Sequence, residues 1–216
     1  MKTKSYDLVI FDCDGVLVNT EPLANHVFVQ ILSEHGHAVN AEEYLHIMAG
    51  ETIINRMRMA EQKLNWSAPT NFMSLFDERM IQLTQREVQP IAGIHALLES
   101  LTVPVCVASN GSRAEIILRL QLTNLTRFFN DKIFSGLEVP HPKPAPDVFL
   151  EAARAFNVPA SRCIVVEDSV PGATAAVRAG MRVYGHAAFT PAESLKAAGA
   201  IPFANMSALQ NILAEI

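Results

Sequence analysis

Four stretches of this sequence, each closing a short apolar run, hold side chains that could do chemistry together. Asp12 and Asp14 follow the run Tyr6 to Phe11, and Ser109 and Asn110 follow Val103 to Ala108. Lys143, set between Pro142 and Pro144, comes after the run Lys132 to Ser135, and Glu167 and Asp168 follow Cys163 to Val166. In an open parallel sheet, residues just beyond the carboxyl ends of the strands share one edge, and sites form there. Carboxylates gathered at such an edge repel, by about 4 kcal/mol for two charges ~4 Å apart at an effective dielectric of 20. A hard divalent cation relieves that repulsion. Mg2+ suits the part, because it takes oxygen ligands and is commonly held by one or two carboxylates plus a phosphate. With Lys143, the Ser109 hydroxyl and free backbone N–H groups, the edge suits a phosphoryl group. A carboxylate held at the metal can then attack phosphorus and form an aspartyl-phosphate. Taken singly, each piece reads as an ordinary turn, helix cap or solvated lysine. Their occurrence in order, each at a strand end, is what points to function.

The elements that must position these residues follow from the pattern. The first run is rich in Val and Ile and ends abruptly at Asp12-Cys13-Asp14-Gly15. From about Glu21 to Gln89 the periodicity is helical. Thr20 can cap a first helix with Pro22 in its first turn, and Leu23, Val27, Ile31 and His35 form its stripe. Asn40 with Glu43 has the spacing to open a second helix, for which Gly50 is the expected stop. Thr52 opens a third, and Phe72, Phe76, Met80 and Leu83 mark a fourth. From Val103 onward strands and helices alternate. The strands are Val103 to Ala108, Lys132 to Ser135, Cys163 to Val166, Met181 to Tyr184 and Ile201 to Phe203. The helices run from a Ser112/Glu115 capping box to about Leu122, from Asp147 to Phe156, and on to Ala179 with Gly180 as stop. That alternation implies an α/β, doubly wound, mostly parallel sheet. The first strand has no crossover helix of its own before the helical block. The core is therefore read as discontinuous, residues 1–20 and 90–216, with 21–89 an inserted helical cap.

Composition bounds the rest. The chain has 216 residues, of which 50% are hydrophobic and 18% charged, so a well-buried core is expected. A net charge of -5 argues against binding to nucleic-acid phosphates. No apolar run approaches the ~20 residues that span a bilayer, and Leu8 to Phe11 is too short for a signal-peptide core. Cys13, Cys106 and Cys163 are odd in number and lack metal-ligand spacing, so they read as reduced thiols of a cytoplasmic protein. Cys13, between two aspartates on an extended segment, points away from them and reads as a core residue. A monomer or weak homo-oligomer with a small-molecule phosphomonoester as its partner is expected.

Asp12-Cys13-Asp14-Gly15-Val16-Leu17-Val18, Ser109-Asn110, Lys143-Pro144-Ala145-Pro146-Asp147 and Glu167-Asp168-Ser169 resemble the four ordered motifs of the haloacid dehalogenase superfamily. The helical insert is similar to the cap of its β-phosphoglucomutase-like phosphatase branch. The resemblance implies that Asp12 is the nucleophile and a Mg2+ ligand, and that Asp14 is the general acid and then base, its carbonyl touching the metal. It implies that Ser109 and the Asn110 N–H hold the phosphoryl group and that Lys143 bridges it to the nucleophile. Asp168 would ligate Mg2+, with Glu167 helping directly or through water. An acid flanked by other carboxylates gains proton affinity, as the Asp14 role needs. Gly15 suits the tight exit after the first strand.

The implied enzyme hydrolyses a sugar or sugar-acid phosphate, such as 6-phosphogluconate. The mutase proper is the alternative, but Ala24 and Ile53 stand where it has a His and an Arg. From another class, a receiver-like signalling protein gathers similar residues, yet carries its phospho-acceptor on the third strand and has no insert. The cap loop of Gly50, Glu51 and Thr52 should face the site. Arg56, one turn into the next helix, is the candidate to bind a substrate carboxylate, since a guanidinium matches it bidentately. Its ordinary alternative is a solvated helix arginine.

Overall fold

In a computed structural model, which describes residues 5–48 and 51–216, six strands form one fully parallel sheet in the order β3-β2-β1-β4-β5-β6. The strands are β1 (Leu8–Phe11), β2 (Val105–Ser109), β3 (Ile133–Ser135), β4 (Cys163–Glu167), β5 (Arg182–His186) and β6 (Ile201–Phe203). β2 starts after Pro104, which has no N–H to give but whose carbonyl accepts from Val9 N at 3.1 Å. The sheet is buried on both faces, and the alternation along β1 shows how. Val9 and Phe11 join the core under α5 (Ile94–Ser100), α6 (Arg113–Leu122) and α11 (Met206–Glu215). Leu8 and Ile10 join the core under α8 (Asp147–Ala155), α9 (Val170–Arg178) and α10 (Ala192–Ala197). Strands covered on both faces must be apolar throughout, which is why these runs show no polar alternation.

Between β1 and α5 the chain makes α1 (Glu21–Glu34), α2 (Ala41–Ile47), α3 (Ile53–Leu64) and α4 (Phe72–Glu87). They close on a hydrophobic cluster of their own, built on Val27, Phe28, Ile31, Leu32, Tyr44, Ala60, Phe72 and Phe76. Asn40 caps α2 by accepting from Glu43 N at 2.9 Å, and Thr52 caps α3 by accepting from Asn55 N at 3.3 Å. Gly50, the expected stop of α2, lies outside the described residues. The chain leaves for the insert and returns from it side by side, through Asn19 N to Gln89 O at 2.9 Å and Ile91 N to Leu17 O at 3.0 Å.

Four helices escape the sequence pattern: α5, α10, α11 and the four-residue α7 (Thr126–Phe129). α5 starts at Gly93, in the left-handed region at φ 83°, which offers no side-chain cap to read. The Ser112/Glu115 capping box of α6 forms in full, with the side chain of each residue meeting the backbone N–H of the other. Among the described residues, no helix is long and apolar enough to cross a membrane.

Candidate active site

β2, β1 and β4 are neighbours, so their carboxyl ends deliver Ser109, Asp12 and Glu167 side by side. Asp12 stays in the sheet register by donating its N–H to Val166 O at 2.9 Å. The chain then turns tightly. Leu17 N and Val18 N both donate to Cys13 O, and Gly15 sits at φ 71°. Gly15 has a second reason to lack a side chain, because a Cβ there would stand 1.9 Å from Asp168 Oδ2. His186 Nδ1 lies 2.8 Å from the Gly15 carbonyl oxygen and fixes the turn from β5. Cys13 is fully buried in the apolar core, and burial pushes its thiol pKa well up, as befits a core residue rather than a nucleophile.

Asp12, Asp14, Ser109, Asn110, Lys143, Glu167 and Asp168 all line one cavity of about 290 Å3, together with Glu51 and Thr52 of the insert. A wider depression, of about 630 Å3, is lined only by insert residues such as Gln30, Arg79 and Arg86 and carries none of this chemistry. Lys143 is buried, and its three ammonium protons are all placed: on Asp12 Oδ1 at 2.6 Å, Glu167 Oε1 at 2.7 Å and Ala108 O at 2.8 Å. Burial alone would lower its pKa, but the two carboxylates hold it above the ordinary lysine value. Its loop is clamped by the Asn110 side chain, which accepts from Lys143 N at 2.9 Å and donates to Lys143 O at 3.2 Å. The sequence reading needs Asn110 for its backbone N–H; the side chain has this separate duty.

Glu167 is saturated by protein groups. Oε1 accepts from Lys143, while Oε2 accepts from Asp168 N, Ser169 N and Ser169 Oγ, each at 2.9 Å. Asp168 differs: it is buried, and no protein donor reaches its carboxylate among the described residues. Burial, then the charges of Glu167 and Asp12, push its pKa well above the ordinary carboxylate range. Burial likewise raises Asp12 to about 7; Lys143 opposes the rise, and Glu167 and Asp14 add to it. Asp12, Glu167 and Asp168 each offer an oxygen within 4.8 Å of the others.

Two expectations change. Thr20 does not cap α1 with its side chain. Its hydroxyl donates to Asp14 Oδ1 at 2.7 Å instead, and its backbone is helical (φ -93°, ψ -17°). Arg119 donates to the other Asp14 oxygen at 3.1 Å. The oxygens of Asp14 therefore meet a hydroxyl and a guanidinium, not another carboxylate. Arg119 lies 105 positions from Asp14, on the helix after β2, and nothing in its local pattern marks it. Arg56, expected to face the substrate or solvent, does neither. It is 4% exposed and donates to Glu21 Oε2 at 2.5 Å and Glu51 O at 3.0 Å, outside the cavity lining. Its work is to hold the two insert acids in place.

Gly172 was also overlooked. It lies in the first turn of α9, and a Cβ there would stand 1.7 Å from Glu167 Oε1. A Gly in the first turn of a helix that follows Glu-Asp-Ser is the signal that could have found it. Gly172→Ala must push Glu167 off Lys143. Overpacking typically costs about 1–3 kcal/mol, which lowers Tm by roughly 2–10 °C in a chain of this size. Calorimetry on the variant checks this, and an unchanged Tm would mean that Glu167 moves freely.

A parallel α/β sheet that ends in a buried lysine, a serine and a carboxylate cluster has the make-up of a phosphoryl-transfer protein. A family model described as haloacid dehalogenase-like hydrolase matches residues 9–186. The 6-phosphogluconate phosphatase of Escherichia coli (strain K12) is 32% identical over 179 residues, covering 82% of this chain and 81% of that one. A phosphorylated carbohydrates phosphatase of Thermotoga maritima is 28% identical, covering 97% and 99% of the two chains. A crystal structure of a family hydrolase from Deinococcus radiodurans, with bound phosphate and sodium, superposes with a TM-score of 0.85 at 28% identity, covering 99% of this chain and 97% of its own. The chain belongs to the haloacid dehalogenase-like hydrolases and is an enzyme of their phosphatase kind.

Proposed function

We propose that the chain is a Mg2+-dependent phosphatase of small phosphorylated carbohydrates that works through an aspartyl-phosphate on Asp12. The buried cluster of Asp12, Glu167 and Asp168 carries this reading. The donor set fits a hard divalent cation on chemistry and on charge. Asp12, Asp14, Glu167 and Asp168 bring four negative charges to the cavity, against which Lys143 and Arg119 set two positive ones. Asp12 and Asp168 have oxygens that no protein group occupies, so they would hold the ion, together with the Asp14 carbonyl. Glu167, with both oxygens engaged, would act through water. The ion would neutralise charge on the phosphoryl oxygens as they pass between acceptors.

The chain's own groups supply the rest. The Ser109 hydroxyl and Asn110 N–H hold the phosphoryl oxygens. Asp12 attacks phosphorus, the bond to the leaving alcohol breaks, and Asp14 gives that oxygen its proton. Asp14 then takes a proton from water as the water attacks phosphorus, which releases phosphate and restores Asp12. To do so it must exchange its Thr20 and Arg119 contacts for the substrate. Names among the relatives, a phosphorylated carbohydrates phosphatase and a 6-phosphogluconate phosphatase, support a phosphorylated carbohydrate as the substrate class. The mutase alternative gains nothing, because Ala24 and Ile53 pack against the insert's apolar cluster. The receiver alternative fails on topology, because Asp12 follows β1 and five helices lie between β1 and β2.

Hydrolysis of p-nitrophenyl phosphate with and without Mg2+ tests the reading. EDTA should abolish it, and Ca2+ should not restore the full rate; undiminished activity after chelation would sink the metal assignment. Stability gives a second readout. Asp12 rises from an ordinary 3.8 to about 7 in the fold, so the native state binds more protons than the unfolded chain between those values. Without metal, stability should therefore fall as pH rises through that window. Mg2+, binding the ionised carboxylates, should raise Tm at pH 8 and have little effect at pH 4.

A further inference from the structure

The walls that would enclose the leaving group are short of positive charge. Among the described residues, the active-site cavity has one cation on its lining, Lys143, and all its protons are placed on the core. Arg56, the nearest cation on the insert, is buried against Glu21 and the Glu51 carbonyl. The insert side of the lining is Glu21, Glu51 and Thr52. The charge of Glu21 is matched by Arg56; that of Glu51 meets, among the described residues, only the side-chain amide of Asn55, at 3.0 Å.

Past Glu51 the space continues. A second cavity of about 250 Å3 shares Glu51, Thr52 and Pro171 with the first and adds Asn55, Thr190 and Ser194. Among the described residues it has no cation on its lining. Thr190 is 2% exposed, and no protein hydrogen bond meets its hydroxyl among the described residues. The hydroxyl is not one of the buried polar atoms left without a partner, so it opens on the cavity, where it can give a hydrogen bond to a ligand or take one. The path from the phosphoryl site thus sets three hydroxyls, one amide and the Glu51 carboxylate among the apolar surfaces of Val170, Pro171 and Pro191, with no neutralising cation among the described residues.

We propose that Glu51 sets the charge of the substrate: the site takes phosphomonoesters whose leaving group is rich in hydroxyls and either uncharged or bearing an ammonium, and refuses those with a second anion. This rests on the phosphatase reading and narrows it. Hydroxyls can donate to Glu51 and exchange bonds with Thr52, Asn55 and Thr190. A carboxylate or second phosphate would face Glu51 with nothing between them, and specificity of this kind comes from the repulsive element.

The test compares kcat/KM, with Mg2+, for glucitol 6-phosphate and 6-phosphogluconate, which differ only in a terminal carbinol or carboxylate, and for glucosamine 6-phosphate against glucose 6-phosphate. Glucitol 6-phosphate should be favoured over 6-phosphogluconate by about tenfold or more, the size of a partly screened like-charge contact, and glucosamine 6-phosphate should equal or exceed glucose 6-phosphate. Glu51→Gln should narrow the glucitol-to-gluconate ratio, and Glu51→Lys should invert it. Equal or better turnover of 6-phosphogluconate by the native enzyme, or a ratio that neither variant moves, would overturn the proposal and leave the phosphatase reading standing. Failure to hydrolyse even p-nitrophenyl phosphate would overturn both.

Discussion

Asp12→Asn should abolish turnover while leaving the fold intact. The amide keeps the volume of the side chain but loses the charge on the attacking oxygen. Loss of a nucleophile that acts as a unit with its neighbours typically costs on the order of 10⁴–10⁶-fold in kcat. The backbone bond from Asp12 N to Val166 O is untouched, so the end of β1 stays in place. Lys143 keeps Glu167 and the Ala108 carbonyl as partners, so its buried charge is not orphaned. Circular dichroism should be unchanged. Beryllium fluoride, a phosphate mimic, should form its adduct with Asp12 in the parent and none in the variant, read by fluorine NMR. An adduct on Asp14 or Asp168 would reverse the roles.

Asp14→Asn should lower kcat for alkyl phosphates by about 10²–10⁴-fold, the usual contribution of a positioned acid–base group. An amide can neither give a proton to the leaving oxygen nor take one from water. Its one oxygen can still accept from Arg119 while its NH2 donates to the Thr20 hydroxyl, which can turn to accept, so the local structure should hold. The deficit should shrink for p-nitrophenyl phosphate, whose leaving group departs without a proton, and persist for a sugar alcohol phosphate. Equal deficits on both substrates, measured as kcat in single-turnover experiments, would reassign Asp14 to a purely structural part.

The contrast between these two aspartates and Arg119 shows what a sequence reveals and what it hides. Asp12, Ser109, Lys143, Glu167 and Asp168 are legible because each closes an apolar run or follows one, and parallel strands put such closures on one edge. The parallel sheet and the insert are read from the same alternation, whereas the order of the strands comes only from the structure. Arg119 and Thr20 carry no such mark. Arg119 lies on a helix whose periodicity concerns only Ile116 and Leu120, and its partner is more than a hundred residues away. Thr20 has the composition of a helix cap, yet a carboxylate nearby in space outcompetes the helix for its hydroxyl. Arg56 shows the same effect in another form. Spacing put it one turn from the cavity, but pairing with Glu21, 35 positions earlier, decides where the guanidinium goes. Long-range pairing overrides local pattern wherever a buried charge needs a partner.

The paired linkers, Asn19 with Gln89 and Leu17 with Ile91, separate two kinds of cooperativity. β1 is hydrogen-bonded along both edges and covered on both faces, so its amides are freed only when the whole sheet comes apart. The helices between the linkers close on a separate apolar cluster, and few backbone bonds tie them to the strands. They can open as a unit at a free energy well below that of global unfolding. Asp12 thus stands at the end of the strand that should be the last to exchange its amides, while Glu51 and Thr52 belong to the insert, which should loosen first. Access and selectivity can then vary between homologous proteins without touching the stability of the attacking strand.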